Sequence, residues 1–75
     1  MFPMDKEAEL KKLGQRIRAI RKEKSMTQLD LAHSIGKDQQ SIQRLEAGNI
    51  NPSYFYLKEI AKGLEVSLLE LLKDL

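Results

Sequence analysis

The residues of this 75-residue chain best suited to recognition chemistry are four long polar side chains near its centre, Gln39, Gln40, Gln43 and Arg44. A glutamine amide can bond N6 and N7 of adenine in a bidentate way, and an arginine guanidinium can do the same with O6 and N7 of guanine. A solvated helix usually carries a mixture of glutamate and lysine instead. We therefore predict that these four residues read base edges in double-stranded DNA. The alternative is ordinary polar surface near a helix start.

The elements that must position these side chains are helices. The chain has only 4 glycines and 2 prolines, and it contains neither a β-branched run nor a two-residue hairpin signal. These features predict an all-α fold, a single compact five-helix domain over residues 1–75. The predicted helices span about residues 5–24, 27–36, 39–47, 54–64 and 67–74, and residues 1–4 are expected to form a frayed end.

Local signals mark where two of the helices begin. Thr27 and Asp30 have the spacing of a capping box, in which each side chain bonds the backbone amide of the other, and Ser67 and Glu70 repeat this spacing. Between the second and third helices the sequence leaves a turn of only two residues. Because so short a turn forces a sharp crossing, it predicts a helix-turn-helix at about residues 27–47.

Each of the first four helices also carries an apolar face at helical spacing. Gly14 lies within the first helix, where we expect it to be a tolerated weak point. The predicted inward-facing side chains are, in chain order, Leu10, Leu13, Ile17, Ile20, Leu31, Ala32, Ile35, Ile42, Leu45, Tyr54, Leu57, Ile60, Ala61 and Leu64.

Charge is distributed unevenly along the chain. The net charge is +2, from 13 basic and 11 acidic residues, but residues 1–25 carry +4 and residues 63–75 carry −2. A basic front segment suits a nucleic-acid partner. Lysine and arginine that merely solvate the first helix would produce the same distribution.

Composition excludes several other classes of protein. With no cysteine and one histidine, the chain cannot build a disulfide framework or a zinc site on those ligands, so we expect no metal and no cofactor. No nucleophile with an adjacent base and no phosphate-binding loop is present, which argues against an enzyme. The absence of an apolar run of about 18 residues argues against a membrane partner and favours a cytoplasmic location.

Several spaced motifs agree over nearly the whole chain. They are Arg21, T-Q-x-x-L-A from Thr27, a glycine at Gly36, S-I-x-x-L-E-x-G from Ser41, N-P-S from Asn51 and I-A-x-x-L-x-V-S-L from Ile60. Over about residues 13–72 the chain resembles the phage-repressor and Cro type of helix-turn-helix, the xenobiotic-response-element class. It is similar to small restriction-modification controller proteins. The resemblance implies a lambda-repressor-like domain that binds DNA through its third helix.

Several residue roles follow from this resemblance. It implies that Gln28, at the start of the second helix, holds a DNA phosphate and supports the first recognition residue. It also implies that Arg21 pairs with Glu46 at the end of the third helix, as a structural ion pair. Further candidate phosphate contacts are Ser41, Lys37, Arg18, Asn49 and Asn51. Arg18 has the alternative role of solvating its helix, and the two asparagines that of turn formers.

The C-terminal part of the chain is unusually apolar. The family pattern accounts for Leu68 and Leu71 as core residues but leaves other apolar side chains without a place in the core. Because a chain of this size rarely leaves so much apolar surface in water, we predict a homodimer through these side chains. They are Phe55, Tyr56, Leu69, Leu72 and Leu75. A terminal helix that folds back on its own domain is the alternative.

These features together predict a sequence-specific transcriptional regulator that binds double-stranded DNA as a homodimer at a palindromic operator. Two alternatives share the same sequence features. An antitoxin that represses its own operon would show every motif and would have a toxin as a second partner. A protein-interaction module on the same fold would bind no DNA and would have no need of base-reading side chains.

Overall fold

The structure is a computed structural model that describes residues 3–75. These residues form five α-helices and no strand, which confirms the all-α prediction. The helices are α1 (Lys6–Glu23), α2 (Gln28–Ser34), α3 (Gln39–Glu46), α4 (Tyr54–Gly63) and α5 (Leu68–Leu71). The predicted domain also included residues 1 and 2. They belong to the expected frayed end and lie outside the described residues.

Each of these helices begins at a side chain that caps its first turn. Asp5, Thr27, Asp38, Ser53 and Ser67 each accept a hydrogen bond from the backbone amide three residues further on. Such caps satisfy one of the amides that a helix start leaves without an intrahelical partner. The helix starts are therefore determined by local sequence.

The two predicted capping boxes differ in outcome. Between Thr27 and Asp30 both bonds form, at 3.0 Å and 2.9 Å. Between Ser67 and Glu70 the Glu70 amide donates to Ser67 Oγ at 3.0 Å, but the Glu70 carboxylate accepts from Arg16 of α1 instead of from the Ser67 amide. A tertiary contact thus replaces the second half of a local motif.

The turn between α2 and α3 spans residues 35–38, which makes it longer than the two residues predicted. Gly36 has a φ of 69°, a left-handed conformation that glycine adopts without steric cost. The Lys37 amide donates to the Ala32 carbonyl at 2.9 Å and so satisfies a carbonyl near the end of α2. With this turn α2 and α3 pack against each other as a helix-turn-helix.

The apolar core lies where the five helices meet. Its buried side chains are Ile17, Ile20, Leu31, Ala32, Ile42, Leu45, Ile60, Ala61, Leu64 and Leu71. One prediction for α4 is wrong, because Tyr54 is 67% exposed rather than inward-facing. Tyr56, predicted as an interface residue, is half-buried and packs against the core, and its part in a dimer stays a prediction. The helix register explains this packing, because Tyr56 lies one turn before Ile60 and two turns before Leu64.

At Gly14 the backbones of α1 and α3 approach each other closely. A methyl group built on Gly14 would collide with the backbone carbonyls of Leu45 and Glu46. The expectation of a merely tolerated glycine is therefore wrong. Its missing side chain is what allows the end of the third helix to rest on the first.

The fifth helix is shorter than predicted. It ends at Leu71, and the residues that follow form a turn in which Asp74 adopts a φ of 64°. Over residues 3–75, no helix is long and apolar enough to cross a membrane. The same residues contain no group of three or more histidine, cysteine, aspartate or glutamate side chains placed to hold a metal ion.

Candidate nucleic-acid interface

The outer face of α3 carries the four residues expected to read bases. Gln39, Gln40, Gln43 and Arg44 are all exposed, while Ile42 and Leu45 of the same helix are buried. This division is the consequence of an amphipathic helix with apolar residues at positions 42 and 45. The helix therefore offers solvent a surface made of amide and guanidinium groups, the groups that bond base edges in a major groove.

An ion pair with α1 holds the C-terminal end of this helix. Arg21 Nε donates to Glu46 Oε2 at 2.6 Å, and Arg21 Nη2 donates to Glu46 Oε1 at 2.9 Å. The two side chains are 8% and 4% exposed, so water screens the pair little. The hydrogen bond to Glu46 raises the pKa of Arg21. The ion pair that the resemblance implied is thus present, and it joins the end of α3 to α1.

Two further hydrogen bonds extend this pair to the start of α2. Arg21 Nη1 donates to the Met26 carbonyl at 2.8 Å, and Gln28 Nε2 donates to Glu46 Oε1 at 3.1 Å. Gln28 was expected to hold a phosphate, and the structure gives its amide an internal partner. Because an amide nitrogen carries two protons and its carbonyl accepts separately, one N–H and the oxygen remain for other contacts.

The start of α3 is fixed by a carboxylate. Asp38 Oδ1 accepts from the Ser41 amide and from the Ser41 hydroxyl, both at 2.8 Å. These bonds lower the pKa of Asp38 because they favour its ionised form, the hydroxyl bond most. The Ser41 hydroxyl therefore points along its own helix start, and its proton is engaged before any phosphate approaches.

A shallow pocket lies beside α3. It is lined by Lys37, Ser41, Arg44, Ile50 and Tyr56. Lys37 Nζ lies 3.7 Å from a Glu59 carboxylate oxygen and 5.4 Å from the centre of the Tyr56 ring. The structure thus brings together Lys37, Ser41 and Arg44, which the sequence assigned separately to DNA.

Tyr56 supplies the inner wall of this pocket. Its hydroxyl is buried and has no hydrogen-bond partner among the described residues. Burial is the main cause that raises the pKa of Tyr56, and the negative charges of Glu59 and Asp38 add to it. Tyr56 therefore links the core to the surface beside α3.

The remaining phosphate candidates lie apart from this pocket. Arg18 is exposed on α1, and Asn49 and Asn51 are exposed in the loop between α3 and α4. Gly48 takes a φ of 79°, and the Asn49 amide donates to the Arg44 carbonyl at 2.9 Å, so that Asn49 also closes the end of α3. Asn49 therefore forms part of a turn, which was the alternative role expected for the two asparagines.

The apolar residues predicted to form an interface are mostly exposed. Phe55, Leu69, Leu72 and Leu75 are exposed, with Leu69 reaching 83%. Phe55 lines a surface groove between α4 and the start of α5 that also includes Val66 and Leu68. The α4–α5 side of the domain therefore presents apolar surface to solvent, as the composition indicated.

One residue with several long-range contacts received no role from the sequence. Arg16 of α1 donates to the carbonyls of Glu70 and Leu71 at the end of α5. A basic residue on a basic helix gives no sign of such a partner, because the contact joins residues more than 50 positions apart in the chain. Only the packing of α5 on α1 reveals it.

Comparison with known proteins assigns this geometry to a class. The family model described as "Helix-turn-helix" matches residues 17–71, which is most of the chain and includes the four exposed polar residues of α3. The chain belongs to the helix-turn-helix family of the Cro/C1 type, a class of DNA-binding transcriptional regulators.

Three relatives show how the similarity is distributed. The immunity repressor protein of Bacillus phage phi105 is 36% identical over 56 residues, and the match spans 75% of this chain but only 39% of the phage protein. The controller protein C.AhdI from Aeromonas hydrophila superposes with a TM-score of 0.82 at 34% identity, covering 85% of this chain and 97% of its own. A chain of the C.Esp1396I tetramer, solved in complex with its natural 35 base-pair operator, superposes with a TM-score of 0.74 at 40% identity. The match covers 85% of this chain and 95% of that chain.

Proposed function

We propose that this protein is a sequence-specific regulator of transcription that binds double-stranded DNA as a homodimer at a palindromic operator. The observation that carries the proposal is the outer face of α3. Three glutamines and an arginine are exposed there, while the helix beneath them is held by the Arg21–Glu46 pair. A helix whose side chains are positioned before binding loses less conformational freedom when it binds.

In this proposal α3 enters the major groove with its N-terminal residues foremost. Gln39, Gln40 and Gln43 bond adenine edges, and Arg44 bonds a guanine edge. This assignment follows from side-chain chemistry, since an amide offers both a donor group and an acceptor whereas a guanidinium offers only donors.

The DNA backbone is held on either side of this helix. Gln28 bonds a phosphate with the amide proton that Glu46 leaves unused, near the amide-rich start of α2. On the other side Lys37 faces a phosphate from the pocket beside α3, with Asn49, Asn51 and Arg18 as outer contacts. Ser41 joins this contact when its hydroxyl turns from Asp38 to the phosphate. Such contacts fix the register of the protein on the duplex, while the base contacts specify sequence.

Two copies are required because one copy reads too little DNA. Four side chains on one helix contact only a few base pairs, whereas two recognition helices about 34 Å apart read both halves of a palindrome on one face of the duplex. Phe55, Leu69, Leu72 and Leu75 supply the apolar surface for the contact between copies. The operator complex of the C.Esp1396I tetramer supports an assembly of several chains on DNA.

The phage relative is an immunity repressor, and we propose repression as the outcome of binding in this protein as well. A protein bound across a promoter blocks polymerase without any catalytic step. Because the target is a regulatory site on DNA, the cytoplasm is the compartment in which we propose that it acts.

The test is selection of duplex DNA from a random pool by the purified protein. Two related half-sites separated by about one helical turn, 10–10.5 base pairs from centre to centre, are expected among the selected sequences. The affinity for the selected duplex should fall steeply as salt rises, because bound phosphates release counterions. A pool that yields no common sequence, with no salt-dependent binding to any duplex, would favour the protein-interaction module instead.

A further inference from the structure

Arg16 joins the first helix to the last. Its Nη2 donates to the Glu70 carbonyl at 2.8 Å and to the Glu70 carboxylate at 3.3 Å, and its Nε donates to the Leu71 carbonyl at 3.3 Å. The side chain is 25% exposed and therefore partly sheltered from water. A single guanidinium thus satisfies the carbonyls of the last two residues of α5.

The fifth helix depends on contacts of this kind. It contains four residues, which make a single turn. A helix of that length does not persist by itself, because the free-energy cost of nucleating a helix exceeds the gain from the hydrogen bonds of one turn. Three features hold it on the domain: the buried side chain of Leu71, the side chain of Leu68 packed against the core, and the guanidinium of Arg16. Leu71 anchors the helix in the core. Arg16 determines how its C-terminal end is directed, since the positive charge sits at the carbonyl end of the helix.

The exposed leucines lie within α5 and directly after it. Leu69 lies within the helix, Leu72 is its C-cap, and Leu75 follows in the terminal turn. Hydrogen bonds from the Leu72 amide to Leu68, and from the Leu75 amide to Leu72, continue the turn that Arg16 caps. Any rotation of α5 on its anchor would change the direction of all three side chains together.

We propose that Arg16 is a positioning residue for the contact between two copies of this chain. It holds α5 in the orientation in which Leu69, Leu72 and Leu75 meet the partner, without itself lying in the contact. The proposal rests on the homodimer proposed above. Its physical basis is that the bonds to backbone carbonyls control the helix direction, while the ion pair with the Glu70 carboxylate adds little because that carboxylate is half exposed.

The experiment compares the dissociation constant of the dimer in Arg16→Met, which keeps the aliphatic stem and removes every donor, with that of the unaltered protein. Sedimentation is measured without DNA at a temperature at which circular dichroism shows all variants folded. We expect dimerisation to weaken about ten-fold or more in Arg16→Met. Arg16→Lys, which keeps the positive charge but not the planar set of donors on separate nitrogens, should give an intermediate value. Lys22→Met, an exposed position on the same helix, is the matched control and should leave the constant unchanged.

Two further measurements separate positioning from a general loss of stability. Glu70→Gln removes the ion pair but keeps the carbonyls, and it should change the dimer constant less than two-fold. In Arg16→Met, amide hydrogen exchange should accelerate at Leu72 and Leu75 while α1 and α3 keep their protection. A uniform loss of protection with an unchanged dimer constant would show that Arg16 is only a structural residue and would overturn the proposal.

The result for the unaltered protein distinguishes this proposal from the one on which it rests. If the unaltered chain dimerises and Arg16→Met dimerises equally well, the positioning role is wrong and the homodimer stands. If the unaltered chain is a monomer at every concentration measured, the homodimer itself is wrong and the positioning role falls with it. DNA selection then decides whether the base-reading part of the proposed function survives.

Discussion

Arg21 and Glu46 are joined by two parallel hydrogen bonds of 2.6 Å and 2.9 Å, and both side chains are almost completely buried. The pair fastens the end of α3 to α1. Gly14 reinforces the same junction, because its missing side chain leaves room for the α3 carbonyls. The position of α3 is therefore fixed by its contacts with α1.

Replacing Glu46 with alanine should lower the free energy of unfolding by about 3–5 kcal/mol, because Arg21 would remain as a buried charge without its partner. Urea unfolding followed by circular dichroism measures this loss. Glu7→Ala is the matched control, since Glu7 forms an exposed pair with Lys11 and its removal should change stability by less than about 1 kcal/mol. Equal losses in the two variants would contradict the role assigned to the buried pair.

Base reading is tested by Gln39→Ala and Arg44→Ala. Each should weaken binding to the selected operator by about 1–3 kcal/mol and relax the preference at one base pair of each half-site, because one bidentate contact is lost. Fluorescence anisotropy with single-base operator variants measures both effects. Equal loss of affinity on operator and unrelated duplexes would instead indicate that these side chains contact the backbone.

A different result is expected at Lys37. Lys37→Gln should weaken binding to all duplexes alike and reduce the slope of log affinity against log salt by about one, because one phosphate contact is removed. Titrations at several salt concentrations measure the slope. The control is Lys22→Gln, an exposed lysine on α1, which should leave the slope unchanged. A change in base preference at a single operator position would contradict the phosphate role.

Dimerisation is tested at Leu72. Leu72→Glu should convert the dimer to a monomer in analytical ultracentrifugation, because a charge cannot be buried in an apolar contact without large cost. Leu29→Glu is the matched control, since Leu29 is 44% exposed on α2 and Leu72 is 37% exposed. An unchanged mass in Leu72→Glu would remove α5 from the interface.

The stability of the protein in acid should depend on two aspartates, one at the start of α2 and one at the start of α3. Hydrogen bonds from Thr27 lower the pKa of Asp30, and those from Ser41 lower the pKa of Asp38, both from an ordinary value of 3.8. A group whose pKa is lower in the folded state contributes stability above its unfolded pKa, and the contribution is lost as the pH falls through the folded pKa.

We therefore expect the urea midpoint to fall as the pH drops below about 4. The decrease should be smaller in the double variant Asp30→Asn, Asp38→Asn, because asparagine still accepts the cap bonds but does not titrate. Identical pH profiles in the two proteins would show that other carboxylates govern acid unfolding.

Local sequence was sufficient for the elements and for the exposed face of α3. A helix cap needs only residues three positions apart, so Thr27 and Ser67 indicated helix starts that the structure confirms. Helical spacing likewise separates Ile42 and Leu45 from the exposed residues between them. The resemblance added Arg21 and Glu46, a pair that spacing alone does not connect.

Only the tertiary structure decided what depends on contacts between distant elements. The tertiary structure packs Tyr56 against the core, ends α5 at Leu71 and gives Gln28 a hydrogen-bond partner in Glu46. It also brought Arg16 to the carbonyls of α5, across more than 50 residues of chain. The reason is physical: caps and amphipathic faces are set by neighbours within a turn or two, whereas the partner of a long polar side chain is set by how the helices pack.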